Sequence, residues 1–251
     1  MKLMDDCFID LTITSPPYDN LRTYNGYEFE FEKIAKELYR VTKEGGVVVW
    51  IVGDATINGS ETGTSFKQAL YFKEIGFNLH DTMIYKKYNP VPNANCRYNQ
   101  SFEYMFILSK GKPKTFNPIM RKRINNTNDK RTKRNKGVNR NRNGEFNKTI
   151  YTQKEEVIRG NVFEYYVGMK TSIDKIAYEH SAIFPEQLAK EHIYSWSNEG
   201  DLIYDCFMGS GTTAKMAHLQ KRYWIGSEIS KEYTELANKR IKKYINQTTL
   251  F

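Results

Sequence analysis

Apolar and polar positions along this chain fall into blocks whose lengths read as strand and helix in alternation. The run Cys7-Phe8-Ile9-Asp10-Leu11-Thr12-Ile13 predicts a buried strand that ends at Thr14-Ser15-Pro16-Pro17-Tyr18. A polar stretch, Asp19 to Glu28, precedes a helical pattern from Phe29 to Val41 with Phe31, Ile34, Leu38 and Val41 on one face. Gly45-Gly46 is expected to end the connection. Val47 to Val52 then reads as a strand covered on both faces, closed by Gly53-Asp54. A helix from Ser65 to Gly76, stopped by its glycine, and strands Asp81 to Lys87 and Phe102 to Ser109 follow. Regular structure resumes after Tyr151, with a helix from Glu186 to Tyr194 and a strand from Asp201 to Asp205. The stretch Cys206-Phe207-Met208-Gly209-Ser210-Gly211-Thr212-Thr213 leads into a helix from Thr213 to Gln220. A strand from Tyr223 to Glu228 and a helix from Ser230 to Tyr244 complete the pattern. No internal repeat is visible. The order predicts an α/β fold with a doubly wound, mostly parallel sheet.

Between Lys110 and about Tyr151 the composition changes: apolar residues nearly vanish and lysines and arginines are interleaved with asparagines. Such a segment reads as a solvated loop. It also reads as a nucleic-acid surface, because Lys and Arg neutralise phosphates while Asn and Arg can read base edges. The two are compatible, and the interruption of an ordered α/β pattern favours the second. Its candidate contacts are Arg121, Lys122, Arg123, Arg131, Lys133, Arg134, Arg140 and Arg142. The chain then divides into residues 1–109, a basic insertion at 110–167, and 168–251. The whole-chain excess of 38 Lys+Arg over 29 Asp+Glu, a formal charge of +9, agrees with a polyanionic partner but is weak alone. Three cysteines far apart and only four histidines give neither a disulfide framework nor a zinc spacing. The expectation is an intracellular, metal-free protein. No run approaches the ~20 apolar residues of a membrane span, and the acidic start does not read as a signal peptide.

The chemistry concentrates at two places. Two adjacent prolines lack N–H groups and hold φ fixed, so the loop after the first strand is stiff and its carbonyls can face a ligand. Ser15 before them and Tyr18 after them can supply an acceptor and a stacking ring for a base with an exocyclic amino group, while the five residues alone read more simply as a Pro-Pro turn ending a strand. Far along the chain, strand, glycine turn, helix and a strand ending in Glu228 form a nucleotide-binding half. Gly209 and Gly211 are expected to let the backbone approach a ligand, and Glu228 to bond ribose hydroxyls. A phosphate loop would need a lysine where Thr212-Thr213-Ala214 stand. A dinucleotide site, in its relaxed pattern, and S-adenosylmethionine both fit.

Thr14-Ser-Pro-Pro-Tyr18 together with Asp205-Cys-Phe-Met-Gly-Ser-Gly-Thr212 resembles the catalytic and cofactor motifs of DNA amino-methyltransferases, which methylate exocyclic nitrogens of adenine or cytosine. Catalytic loop first, basic insertion in the middle and glycine loop last resembles the circularly permuted beta group. Phe102-Glu103-Tyr104 and His180-Ser-Ala-Ile-Phe-Pro-Glu186 are further matches. The resemblance implies a Rossmann-like S-adenosylmethionine-dependent methyltransferase fold with an inserted target-recognition region. It implies that Ser15, Pro16, Pro17 and Tyr18 handle a flipped-out base, with Ser15 and the Pro16 carbonyl gripping its amino group. Asp205, Phe207, Gly209, Gly211 and Glu228 would bind the cofactor, joined by Thr14, Asp54 and the closing segment Phe184-Pro185. Asp54 and Phe184 also read as a strand-end turn residue and a core residue.

Two departures from the family pattern stand out. Only about eight residues precede Ile9, where the family has a further strand and helix, so either this edge is lacking or the true start lies upstream, and an exposed sheet edge would need cover, for instance from a second subunit. The loop carries Ser-Pro-Pro-Tyr, the form that leans towards cytosine N4, whereas Asp-Pro-Pro-Tyr leans towards adenine N6. The expected function is therefore N4-cytosine methylation of double-stranded DNA, in a prokaryotic or phage cytoplasm, with a homodimer and a cognate restriction endonuclease as conceivable partners. The rivals are adenine N6 methylation, an RNA or protein amide methyltransferase, and a DNA-binding protein with a decayed site.

Overall fold

The structure is a computed structural model that describes residues 1–17, 29–92, 96–123, 136–150, 155–168, 171–179, 183 and 185–246. In chain order the elements are β1 (Ile9–Thr14), α1 (Phe31–Val41), β2 (Thr42–Val52), a small hairpin of β3 (Thr56–Ile57) and β4 (Ser60–Glu61), α2 (Thr64–Glu74), β5 (Asn78–Lys87) and β6 (Phe102–Ser109). Then come β7 (Met120–Lys122), β8 (Lys136–Arg140), β9 (Phe146–Ile150), β10 (Glu156–Ile158) and β11 (Val162–Tyr165). A 3-10 turn at Lys175–Glu179, α3 (Glu186–Trp196), β12 (Leu202–Asp205), α4 (Thr212–Leu219), β13 (Tyr223–Gly226) and α5 (Lys231–Ile245) complete the chain.

Seven strands form one sheet in the order β11-β5-β6-β2-β1-β12-β13. Only β6 runs against its neighbours; β1 pairs in parallel with β2 and β12, β12 with β13, and β5 with β11. The mostly parallel doubly wound sheet expected from the block pattern is present. Alternate residues of β2 explain its apolar run. Val48, Trp50 and Val52 pack with Ala35 and Leu38 of α1 and with Ala69 and Phe72 of α2. Val47, Val49 and Ile51, in the intervening positions, are equally buried. Both faces of the strand are covered, as period-2 side chains in a central parallel strand require. On the other side of β1 the helix α3 packs, followed by α4 and α5.

Three details differ from the sequence reading. Gly45-Gly46 does not close a loop: β2 starts at Thr42, immediately after α1, and the glycines lie inside it next to a register shift against β1. Gly45 adopts φ +77°, and a Cβ there would sit 2.9 Å from Lys114 Cβ, so only glycine fits this irregularity without strain. Second, β11 joins the main sheet although it lies inside 110–167. Phe163 and Tyr165 point inward and Val162 and Glu164 outward. Third, the hairpin of β3 and β4 was not anticipated.

The chain separates into two compact units, Met1–Asn117 with Asn161–Phe251, and Pro118–Gly160. The smaller unit is thus narrower than the compositional boundaries suggest. Within it, β7 pairs antiparallel with β10 and β8 with β9.

Candidate active site

Parallel pairing of Leu11 with Ile203 and Thr12 with Tyr204 sets β1 beside β12, with their carboxyl ends on the same side. From this pair the chain departs in opposite directions, through α1 to β2 and through α4 to β13. Such a reversal leaves a crevice at the carboxyl ends, where open α/β sheets bind ligands. The Pro-Pro loop leaves β1 and the glycine turn leaves β12 at this place. Two motifs almost two hundred residues apart meet there.

The junction is held by Asp205. Thr14 Oγ1 donates to Asp205 Oδ1 at 2.7 Å, Thr213 Oγ1 donates to Oδ2 at 2.7 Å, and the Phe207 N–H donates to Oδ1 at 3.0 Å. Asp205 is 1% exposed. Burial pushes its carboxyl up to about 6, against the opposing hydrogen bonds from Thr213, Thr14 and Phe207, and the nearby Glu228 charge adds to the rise. Beside it, burial and the Asp205 charge push the Cys206 thiol far above its ordinary range, so it stays neutral. Ser15 and Pro17 are half-buried and Pro16 is buried.

The glycine turn uses left-handed backbone at Gly209 (φ 50°) and Gly211 (φ 80°). The Gly209 N–H donates to Glu228 Oε2 at 2.8 Å and the Ser230 N–H to Glu228 Oε1 at 2.9 Å, so Glu228 bridges the turn and the start of α5. Both glycines were expected to make room for a ligand. For Gly211 the close approach is to α5: a Cβ would lie 3.1 Å from both Ala237 Cβ and Ile241 Cδ1. Helix α4 starts directly after it with no side-chain cap, leaving first-turn N–H groups at the crevice.

The Phe207 ring is half-buried, 5.6 Å from the ring of Phe29 and 6.4 Å from that of Trp50. Pro185 is buried at the N-cap of α3. Asp54 accepts from the Ser65 N–H at 2.8 Å and from the Ser65 hydroxyl, so it supports the first turn of α2. Tyr18, Phe184, Arg131, Lys133 and Arg134 lie outside the described residues. In the smaller unit, Arg121 and Lys122 on β7 and the following Arg123 are exposed, as is Arg142 in the turn between β8 and β9; Arg140 ends β8.

Sequence reasoning missed a buried ionic cluster behind the glycine turn. Lys215 Nζ lies 2.7 Å from Asp174 Oδ2 and 2.8 Å from Glu186 Oε1; Arg240 Nε lies 3.0 Å from Asp174 Oδ2 and its Nη2 2.6 Å from Glu186 Oε1. Neither cation is exposed at all. The available signal was Arg240 standing in phase with Leu236, Ala237 and Ile241 on the apolar stripe of α5.

Residues 9–239 match a family model, N6_N4_Mtase, described as DNA methylase. An orphan methyltransferase of Bacillus amyloliquefaciens, M.BamHII, is 60% identical over 244 residues, covering 96% of this chain and 91% of that protein. The type II methyltransferase M.MjaI of Methanocaldococcus jannaschii is 29% identical over 88% of this chain and 69% of its own length. Among solved structures, the PvuII DNA methyltransferase, titled cytosine-N4-specific, superposes with a TM-score of 0.68 at 19% identity, covering 98% of this chain and 87% of that one. The M1.HpyAVI–SAM complex gives 0.59 at 24% identity over 93% and 89%. These two share the Rossmann-like methyltransferase fold with this chain. With a family model covering nearly its whole length and a relative at 60% identity, the chain belongs to the N4/N6 amino-methyltransferase family of DNA methylases.

Proposed function

We propose that this chain transfers a methyl group from S-adenosylmethionine to the N4 nitrogen of cytosine in double-stranded DNA. The observation that carries this reading is the Thr14–Asp205 hydrogen bond of 2.7 Å, which joins the end of the Pro-Pro strand to the root of the glycine turn. The groups in the crevice suit this cofactor. Glu228, two residues past the end of β13, retains lone pairs for ribose hydroxyls beyond the two N–H bonds it accepts. The half-buried Phe207 ring offers an apolar wall, and the Asp205 carboxylate favours a cationic ligand nearby. The bound cofactor supplies an electrophilic methyl group on its sulfonium.

An exocyclic amino nitrogen is a poor nucleophile because its lone pair is delocalised into the ring. The Ser15 hydroxyl and the Pro16 carbonyl would accept hydrogen bonds from its two N–H groups out of the ring plane and so localise the lone pair on the nitrogen. The buried Pro16 and the fixed proline φ hold these acceptors without reorganisation at the moment of reaction. No covalent bond to the base is needed, and the neutral Cys206 thiol is unsuited to forming one. The target base leaves the duplex at a cost of a few kcal/mol. Exposed Arg121, Lys122, Arg123 and Arg142 offset part of it through phosphate contacts.

The serine of the Pro-Pro loop favours cytosine, and the family also contains adenine N6 enzymes. Plasmid DNA incubated with the protein and S-adenosylmethionine, digested to nucleosides and analysed by mass spectrometry, separates the two. N4-methylcytosine is the expected product. N6-methyladenine instead would overturn the choice of base, and a label appearing only in RNA or protein would overturn the choice of DNA. The relative at 60% identity is named an orphan methyltransferase. By that likeness we infer that this chain acts without a dedicated endonuclease.

A further inference from the structure

The cluster behind the glycine turn is unusual in what it spans. Arg240 of α5 is wholly buried and directs its donors two ways. On one side Nη1 donates to the Ser210 carbonyl at 2.9 Å, to Ser210 Oγ at 3.2 Å and to Thr212 Oγ1 at 3.0 Å. On the other side Nη2 donates to Ser172 Oγ at 3.2 Å and to Glu186 Oε1 at 2.6 Å, while Nε donates to Asp174 Oδ2 at 3.0 Å. Lys215 of α4 donates to both carboxylates, and the Tyr244 hydroxyl donates to Asp174 Oδ1 at 2.6 Å. Two cations face two anions, so the cluster is neutral as a whole. Despite burial, the hydrogen bonds from Lys215, Tyr244 and Arg240 hold the Asp174 carboxyl at about 2, so the pair remains charged through the physiological range.

Stability alone does not account for such a cluster. Each buried ion costs several kcal/mol of hydration, and well-packed apolar residues often replace buried pairs without loss. A planar fork does provide a fixed geometry that no apolar side chain can, because its N–H vectors are rigid. Here the fork ties Ser210 and Thr212 of the glycine turn to residues 172–174 and to Glu186, next to Pro185 at the head of α3. We propose that Arg240 is a positioning residue for cofactor binding, clamping the glycine turn to residues 172–174 and to Glu186 at the head of α3 so that the turn is set before the cofactor arrives. The inference rests on the reading of the glycine turn as the S-adenosylmethionine site. It adds a residue that never touches the ligand.

Arg240→Lys keeps a cation opposite Asp174 and Glu186 but cannot also reach the Ser210 carbonyl and Thr212. Calorimetric titration of the full chain with S-adenosylmethionine, thermal unfolding without ligand, and turnover at saturating cofactor and DNA test it together. The expected result is a Kd raised about tenfold or more, an unfolding temperature within a few degrees, and a kcat within about twofold. An unchanged Kd, or a lost kcat with unchanged Kd, overturns the proposal. Should Arg240→Lys not fold, Thr212→Val deletes one acceptor at the turn and keeps its shape. A Kd raised about threefold then supports the clamp, and an unchanged one overturns it. Asp205→Ala serves as the control for the underlying reading. If Asp205→Ala weakens binding and Arg240→Lys does not, the clamp alone is wrong; if neither does, the glycine turn is not the cofactor site.

Discussion

Both helix layers of the large unit bury apolar side chains, but the one behind the glycine turn adds a buried ionic cluster. Under α1 and α2 the filling is apolar and aromatic: Trp50, Phe72 and Phe77 meet edge to face, and the Trp50 N–H finds Gln68 Oε1 at 2.8 Å. Around the glycine turn, Met208, Ala214, Ala237 and Ile241 form a small apolar group, and the space beside it holds Lys215, Arg240, Asp174 and Glu186. An apolar layer tolerates substitution as long as volume is kept, because dispersion and burial are not directional. An ionic cluster loses its set geometry on substitution even where it keeps its charge, because each hydrogen bond has one geometry. Apolar material stands under the sheet, where bulk support suffices, and directional material behind the loop whose shape matters to a ligand.

The largest expected effects test whether the two layers fail differently. Trp50→Ala should cost about 3–5 kcal/mol of stability through the cavity it leaves, and Arg240→Met a similar amount, because Asp174 and Glu186 are left buried without a full set of partners. Urea unfolding measures both. Their signatures should part under conditions where each remains folded: Trp50→Ala keeps most of its cofactor affinity and Arg240→Met loses it. Equal retention of affinity would erase the contrast.

A somewhat smaller effect is expected at Asp205, with a defined pH window. Its carboxyl is raised to about 6 from 3.8, so the neutral form is the one folding favours. Its contribution is full below about pH 4 and is lost as pH rises through 6, a swing of up to about 3 kcal/mol. Asp205→Asn should therefore stabilise the ligand-free protein at pH 8 and leave it unchanged near pH 4, while weakening cofactor binding. Unfolding midpoints across that range check the sign. The smallest effect belongs to the surface: Lys33 and Glu30 form an exposed pair, and Lys33→Ala should shift stability by at most about 0.5 kcal/mol.

The same contrast explains what could be read from the residues alone. Strand β6 is legible from end to end because Phe102, Tyr104, Phe106 and Leu108 alternate, and α5 because Ser230 caps it, its Oγ accepting from the Tyr233 N–H at 3.3 Å. The meeting of Thr14 with Asp205 followed from two motifs that each ended a strand. Strand β11 escaped notice because four residues beside a basic segment carry too short a period to stand out. Gly45-Gly46 misled because paired glycines usually mark a turn, whereas here one of them fills an irregularity in a strand. The ionic cluster, beyond the hint of Arg240 in phase on α5, was illegible for a deeper reason. Its members come from positions 174, 186, 215 and 240, and only the folded chain shows that their charges cancel.

The central claim is that the strand end before the Pro-Pro loop and the root of the glycine turn form one site. A double-mutant cycle on S-adenosylmethionine affinity, with Thr14→Val, Asp205→Asn and the pair, tests it most directly. Residues sharing one hydrogen bond in one site should couple, with the double variant departing from the sum of the singles by about 0.5 kcal/mol or more. Strict additivity, or a Thr14→Val protein that binds the cofactor as the parent does, would contradict it.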